Sequence, residues 1–109
     1  LIGSRRFVRD FPSYRPQALI LFDLVGEKDV RIPMEGYSLR QAPQLTQMVF
    51  ERALSLGLPA FEPVPGPAVL DDHVPFLQAG IPGLLIGTTG TGDPCRNRII
   101  PNGKRPAFC

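Results

Sequence analysis

The chain has 109 residues, 43% of them hydrophobic, and a formal net charge of +2; this fits one small domain, or a piece of a larger one, with enough Leu, Ile, Val and Phe for a core. Four basic residues and one acid lie from Asp93 onward, so the rest of the chain is slightly acidic. The basicity belongs to the tail, and with no basic run interleaved with aromatics a nucleic-acid-binding face is excluded; no apolar run is long enough for a membrane-spanning helix.

Thirteen prolines and eleven glycines predict many loops and few helices. Ser4 reads as the N-cap of a short first helix, with Phe7, Val8 and Phe11 on one face and arginines on the other; Pro12 ends it. Gln17 to Gly26 is the strongest strand pattern. An apolar run bounded by Pro16 and Gly26 predicts a strand covered on both faces, as in the middle of an α/β sheet. Asp23 falls near its C-terminal end, where such sheets place active sites. The alternative is an acid that merely bonds loop amides.

Glu27-Lys28-Asp29 reads as a turn and Val30-Arg31-Ile32-Pro33 as a short edge strand. Glu35-Gly36-Tyr37-Ser38 reads by default as a surface turn, with an approach to a site as the second reading. Ser38 to Leu58 contains the one long helix predicted: Pro43 is placed for its first turn, Leu45, Met48, Val49, Arg52, Ala53 and Leu56 recur at three- and four-residue spacing, and Gly57 closes it. Pro59 to Val64 predicts a short extended segment. No internal repeat is present.

Val69-Leu70-Asp71-Asp72-His73-Val74-Pro75-Phe76 holds the chain's single histidine directly behind two acids. Pro75 suits the first turn of a short helix that Gly80 stops, and Ile81 to Ile86 reads as a buried strand. Ionisable groups at such a corner are costly unless paired or working. The simplest reading has Asp71 or Asp72 capping the helix and hydrogen-bonding His73. After Ile86 the pattern lapses, and residues 87–109 are expected to form a poorly ordered tail. Its Gly/Thr stretch lacks the lysine and the helix of a P-loop, and Cys95 and Cys109 lack Cys-x-x-Cys spacing. The order of elements predicts an α/β layer structure.

Leu19-Ile20-Leu21-Phe22-Asp23-Leu24-Val25-Gly26 and Leu70-Asp71-Asp72-His73-Val74-Pro75-Phe76, with the trailing Gly80-Ile81-Pro82, resemble the zinc-dependent exopeptidase family of bacterial leucyl aminopeptidases and glutaminyl cyclases. The resemblance covers residues 1 to about 86. It implies part of a three-layer α/β/α fold with a mixed central sheet, incomplete here. Asp23 matches an acid that is a zinc ligand in aminopeptidases and part of a hydrogen-bonded acid network in cyclases. Asp71 matches a further member of that network, which tilts the reading toward a cyclase, although Leu85 stands where some cyclases carry histidine. His73, with Asp72, matches supporting positions; the family's signature histidine is generally not a metal ligand.

The resemblance also places the family's first histidine, its bridging aspartate and its glutamate pair before Leu1, and its last histidine after Ile86. Zinc sites of this kind need three or more protein ligands, so Asp23 would be the one candidate ligand here. The implied function is that of a zinc aminopeptidase or glutaminyl cyclase acting at peptide N-termini. This chain alone is expected to be inactive, to bind zinc weakly and to self-associate through exposed sheet edges. A frameshift or truncation is the expected origin of the tail. A non-catalytic remnant or interaction module of the same fold is the alternative.

Overall fold

Gly83-Leu84-Leu85-Ile86 is apolar at every position, and in the computed structural model, which describes residues 1–88, it is buried at every position. Such a run belongs to a parallel strand covered on both faces. The elements are α1 (Ile2–Asp10), β1 (Leu19–Phe22), β2 (Ile32–Met34), α2 (Gly36–Gln41), α3 (Pro43–Ser55), β3 (Phe61–Pro65), α4 (His73–Gln78) and β4 (Gly83–Ile86). Strands β1 and β4 pair in parallel, from Leu19 opposite Gly83 to Phe22 opposite Ile86. Their C-terminal ends therefore share one edge. Strands β2 and β3 form a second parallel pair with an irregular register, Ile32 opposite Phe61 and Met34 opposite Pro65. Pro33 and Pro63 lack the N–H groups a longer ladder would use.

Strand β1 corrects one expectation. Its residues alternate between half-buried and exposed, with Phe22 65% exposed, so one face is open. Helix α4 packs on β1 and β4, but no described element covers the face that carries Ile20 and Phe22. The apolar run is that of a doubly covered strand, and the described residues supply one cover.

The stretch from Ser38 to Leu58 holds the predicted long helix, α3, opened by Pro43, and ahead of it the short helix α2. Ala42 leaves the helical region at φ −137° and ψ 59°, and Pro43 opens α3. Proline disfavours a helical residue before it and lacks the N–H that would continue the first helix. The break leaves few groups unpaired: Ala42 N–H donates to the Ser38 carbonyl and Thr46 N–H to the Ala42 carbonyl. The buried face of α3 is also rotated from the predicted one. Thr46, Phe50 and Ala53 are buried, while Met48 and Leu56 are about 60% exposed. Thr46 can be buried because its hydroxyl donates to the Ala42 carbonyl at 2.8 Å. Phe50 stacks edge-on against Phe61 and joins Ile32, Leu84 and Ile86 in the central core.

Both longer-range helix stops are as expected. Gly57 (φ +70°) and Gly80 (φ +83°) take the left-handed conformation that glycine adopts freely. Each ends its helix with paired backbone bonds: Gly57 N–H to Leu54 O and Leu58 N–H to Ala53 O, then Gly80 N–H to Leu77 O and Ile81 N–H to Phe76 O. Helix α1 begins at Ile2, with Leu1 at its cap position, so Ser4 lies inside the helix; its hydroxyl donates to Leu1 O and to Asp72 Oδ1 instead. Phe7 of α1 packs against Phe11, Tyr14 and Phe76, which docks α1 on α4. Among the described residues no helix is long and apolar enough to cross a membrane. The expectations for the Gly/Thr stretch from Thr89, Cys95 and Cys109 fall outside the described residues.

Truncating Phe50 should remove the ring that joins α3 to both strand pairs. Phe50→Ala is expected to cost about 3–5 kcal/mol, whereas Met48→Ala on the exposed side of α3 should change stability by roughly 0.5 kcal/mol or less. Urea melts of the two variants check the assignment of the buried face.

Candidate active site

Asp23 is the first residue beyond β1, and its N–H still donates to Ile86 O at 3.1 Å, so the sheet fixes its backbone. Two features crowd this position. Leu24 is forced to φ +55°, a conformation non-glycine residues rarely adopt. Gly87 passes so close beneath that a Cβ there would collide with the Asp23 carbonyl oxygen. The C-terminal ends of β1 and β4 are thus pressed together where the acid leaves the sheet.

Asp71 approaches Asp23 from the loop before α4. Asp23 has its pKa raised, first by the side chain of Asp71, then by partial burial and by the charges of Asp71 and Asp72, against a lowering bond from the Leu24 N–H. Asp71 Oδ1 also accepts the Asp72 N–H at 2.8 Å. Asp72 faces away from this pair. Its Oδ1 accepts from the Ser4 hydroxyl at 2.8 Å, tying α4 to α1. It occupies the cap position of α4 without making a side-chain cap bond, contrary to the simplest reading of the triplet.

His73 is fully buried, and neither neighbouring aspartate holds it. Its Nε2 lies 2.6 Å from Oε1 of Glu35, 38 residues earlier. Glu35 is 1% exposed, which corrects the reading of residues 35–38 as a surface turn. It caps α2: Oε1 accepts from Ser38 N–H (3.0 Å) and Ser38 Oγ (2.8 Å), and Oε2 from Tyr37 N–H (2.7 Å). Oε2 also accepts from Val69 N–H at 2.9 Å. Ser38 Oγ in turn accepts the Leu85 N–H at 3.0 Å, so the network reaches the middle of β4. Burial pushes the Glu35 carboxyl up, but His73 and the amides of Val69, Tyr37 and Ser38 outweigh it and hold the group at about 2. With an ionised carboxylate accepting, His73 carries its hydrogen on Nε2. Nδ1 is buried with no hydrogen-bond partner among the described residues, and a bare lone pair there costs less than a buried, unpaired N–H.

Of the four site residues drawn from the sequence, Asp23 and Asp71 meet, while Asp72 and His73 serve separate contacts. Glu35 was underrated. A local signal existed, an acid placed just ahead of a helical pattern, but its partners at 69 and 73 are remote in sequence. Among the described residues no group of three or more His, Cys, Asp and Glu side chains could hold a metal ion. Asp72 is bonded to Ser4 and His73 to Glu35. These residues do not fit a complete zinc site.

Glu35 makes stability depend on pH in a stated direction. A carboxylate held at about 2 against an ordinary 4.5 stabilises the fold fully above about pH 4.5 and loses that contribution as pH falls toward 2. The difference is worth about 3 kcal/mol. Glu35→Gln should flatten this acid limb of a stability-versus-pH curve from urea melts. Asp23 acts oppositely: its raised pKa favours folding at low pH and loses that benefit as pH rises, so Asp23→Asn should raise the Tm at pH 7.

The comparisons with known proteins fit this geometry. The model of peptidase family M28 matches residues 1–101, running on past the end of β4. No curated protein matches the chain. Among solved structures, a glutaminyl cyclase from Porphyromonas gingivalis superposes with a TM-score of 0.79 at 33% identity, over 84% of this chain and 33% of that one. A Zn-dependent exopeptidase from Parabacteroides distasonis gives 0.74 at 31% identity, over 78% and 30%. A leucine aminopeptidase precursor from Bacteroides thetaiotaomicron gives 0.73 at 27% identity, over 82% and 33%. The chain therefore spans about a third of the length of these neighbours. Its helices and strands are a partial α/β unit of their fold, and the chain belongs to peptidase family M28.

Proposed function

We propose that this chain supplies one part of a glutaminyl cyclase-type active site, with Asp23 and Asp71 as its proton-handling pair. The observation that carries this reading is the approach of Asp71, on the loop before α4, to Asp23 at the C-terminal end of β1, which raises the Asp23 pKa. Two such carboxyl groups can accept one proton and donate another at neighbouring oxygens. Cyclisation of an N-terminal glutamine needs both: the α-amine loses a proton as it attacks the side-chain amide carbon, and the departing nitrogen gains one as ammonia. Asp71, on the loop, faces the incoming peptide N-terminus, and Asp23, anchored by the sheet, keeps the pair in place. Likeness to a glutaminyl cyclase at 33% identity supports the reading.

A second reading is aminopeptidase-type hydrolysis, favoured by the likeness to an exopeptidase and a leucine aminopeptidase precursor. There Asp23 would be ionised and ligate zinc. In both readings zinc belongs to a site completed by residues other than those described here, and it would supply polarisation of the attacked carbonyl when bound.

The isolated chain is expected to carry less than stoichiometric zinc, to show neither activity, and to self-associate through the free edge of β1 and the exposed Ile20, Phe22 and Leu24. Elemental analysis, both assays and sedimentation check this; stoichiometric zinc or a clean monomer would contradict it. The reading itself is tested by exchanging residues 1–88 for the matching segment of the P. gingivalis enzyme. The exchanged enzyme should release ammonia from glutaminyl peptides, and Asp71→Asn should lower kcat by roughly 10²–10⁴-fold at unchanged zinc content. Hydrolysis of leucyl substrates with zinc lost on Asp23→Asn would establish the second reading instead. A zinc-loaded exchange product with neither activity would mark the segment as non-catalytic.

A further inference from the structure

We propose that Glu35 is a positioning residue for Asp71, clamping the loop that carries Asp71 at both ends with one carboxylate. The inference rests on the acid-pair reading of Asp23 and Asp71. Its geometry lies in two straps placed symmetrically about Asp71. Oε2 of Glu35 takes the N–H of Val69, two residues before it, at 2.9 Å. Oε1 takes Nε2 of His73, two residues after it, at 2.6 Å. Between the straps, Asp72 is also held, by the Ser4 hydroxyl at 2.8 Å. Leu70 is 60% exposed, and residues 66–72 belong to no helix or strand.

The β2–α2 corner is shaped as a bed for this loop. Gly36 N–H donates to Pro67 O at 3.1 Å, and a Cβ on Gly36 would sit 2.8 Å from Ala68 N and 2.9 Å from Ala68 Cα. Only glycine lets the loop lie that close. The loop can then reach Glu35, whose backbone is fixed by β2 and by its own capping of α2. His73 is in turn the first residue of α4, so Asp71 lies between two tied points.

Capping alone does not account for a glutamate at this position. Ser, Asp and Asn are the preferred caps, and their shorter side chains satisfy the first amides of a helix. The longer side chain of Glu35 satisfies those amides and still meets a loop and a histidine more than thirty residues away. Full burial of Glu35 and His73 keeps water from replacing the His73 strap, while the Val69 strap is partly buried.

The test uses the full chain and reads the loop directly. The backbone order of Leu70, Asp71 and Asp72 is followed by the heteronuclear NMR Overhauser effect at their amide nitrogens. In the parent chain these amides should be as rigid as those of α4, although the loop has no helix or strand. In Glu35→Gln, which keeps side-chain length but presents an amide N–H₂ to one set of donors, that rigidity should be lost. Phe50→Leu, a core change remote from the clamp, should lower stability and leave the loop rigid. A folded Glu35→Gln that keeps the loop rigid overturns the proposal, as does loss of loop rigidity in Phe50→Leu, which would make it a general consequence of weakened packing. If Glu35→Gln does not fold, His73→Gln decides: it cuts one strap, and a loop that stays rigid in it also overturns the clamp. Failure here is distinct from failure of the cyclase reading, which is scored by ammonia release in the exchanged enzyme.

Discussion

The buried bond between Glu35 and His73 is the interaction on which the rest of the described structure depends. It joins the corner after β2 to the start of α4, and through Ser38 it reaches the backbone of β4. Burying an ionised carboxylate is costly unless donors replace its hydration, and here five do so: three backbone amides, one hydroxyl and one imidazole. That complete set of donors explains why burial does not raise the Glu35 pKa. It also means that no single partner can be removed without leaving charge unpaired in the core, a defect that costs about 3–5 kcal/mol in comparable buried pairs.

The second organising constraint is the parallel pairing of β1 and β4. Parallel neighbours bring their C-terminal ends to one edge, and active sites in α/β sheets collect there. Asp23 arrives at that edge on the end of β1. Helix α4 leads into β4, and the loop before it carries Asp71 to the same edge. The hub beneath holds the loop from below, while Gly87 and the strained Leu24 crowd the strand end from the other side. Placement and charge are thus set by different elements: the sheet places Asp23, and the buried network places Asp71.

Much of this was legible in the residues. The continuous apolar run of β4, the glycine stops after α3 and α4, and the position of Asp23 at a strand end all follow from local pattern. Asp71, Asp72 and His73 were legible as a family signature, but their partners were not. His73 turns to a glutamate 38 residues away because the loop folds over the β2–α2 corner, and no local rule reports that contact. Pro43 opens α3 as its first-turn placement predicts, whereas α2, only six residues long, is too short to show a periodic face. The buried face of α3 was misplaced because Thr46 is polar, and only its bond to the Ala42 carbonyl makes it a core residue. The open face of β1 reflects a fold of which this chain spans about a third of the neighbours' length.

The central claim is that Glu35 and His73 act as one unit. A double-mutant cycle with Glu35→Gln and His73→Gln, read by urea melts at pH 7, measures their coupling directly. Coupling of about 2 kcal/mol or more, with the double variant little worse than either single one, is the predicted result. Additive losses, with coupling below about 0.5 kcal/mol, would contradict the account.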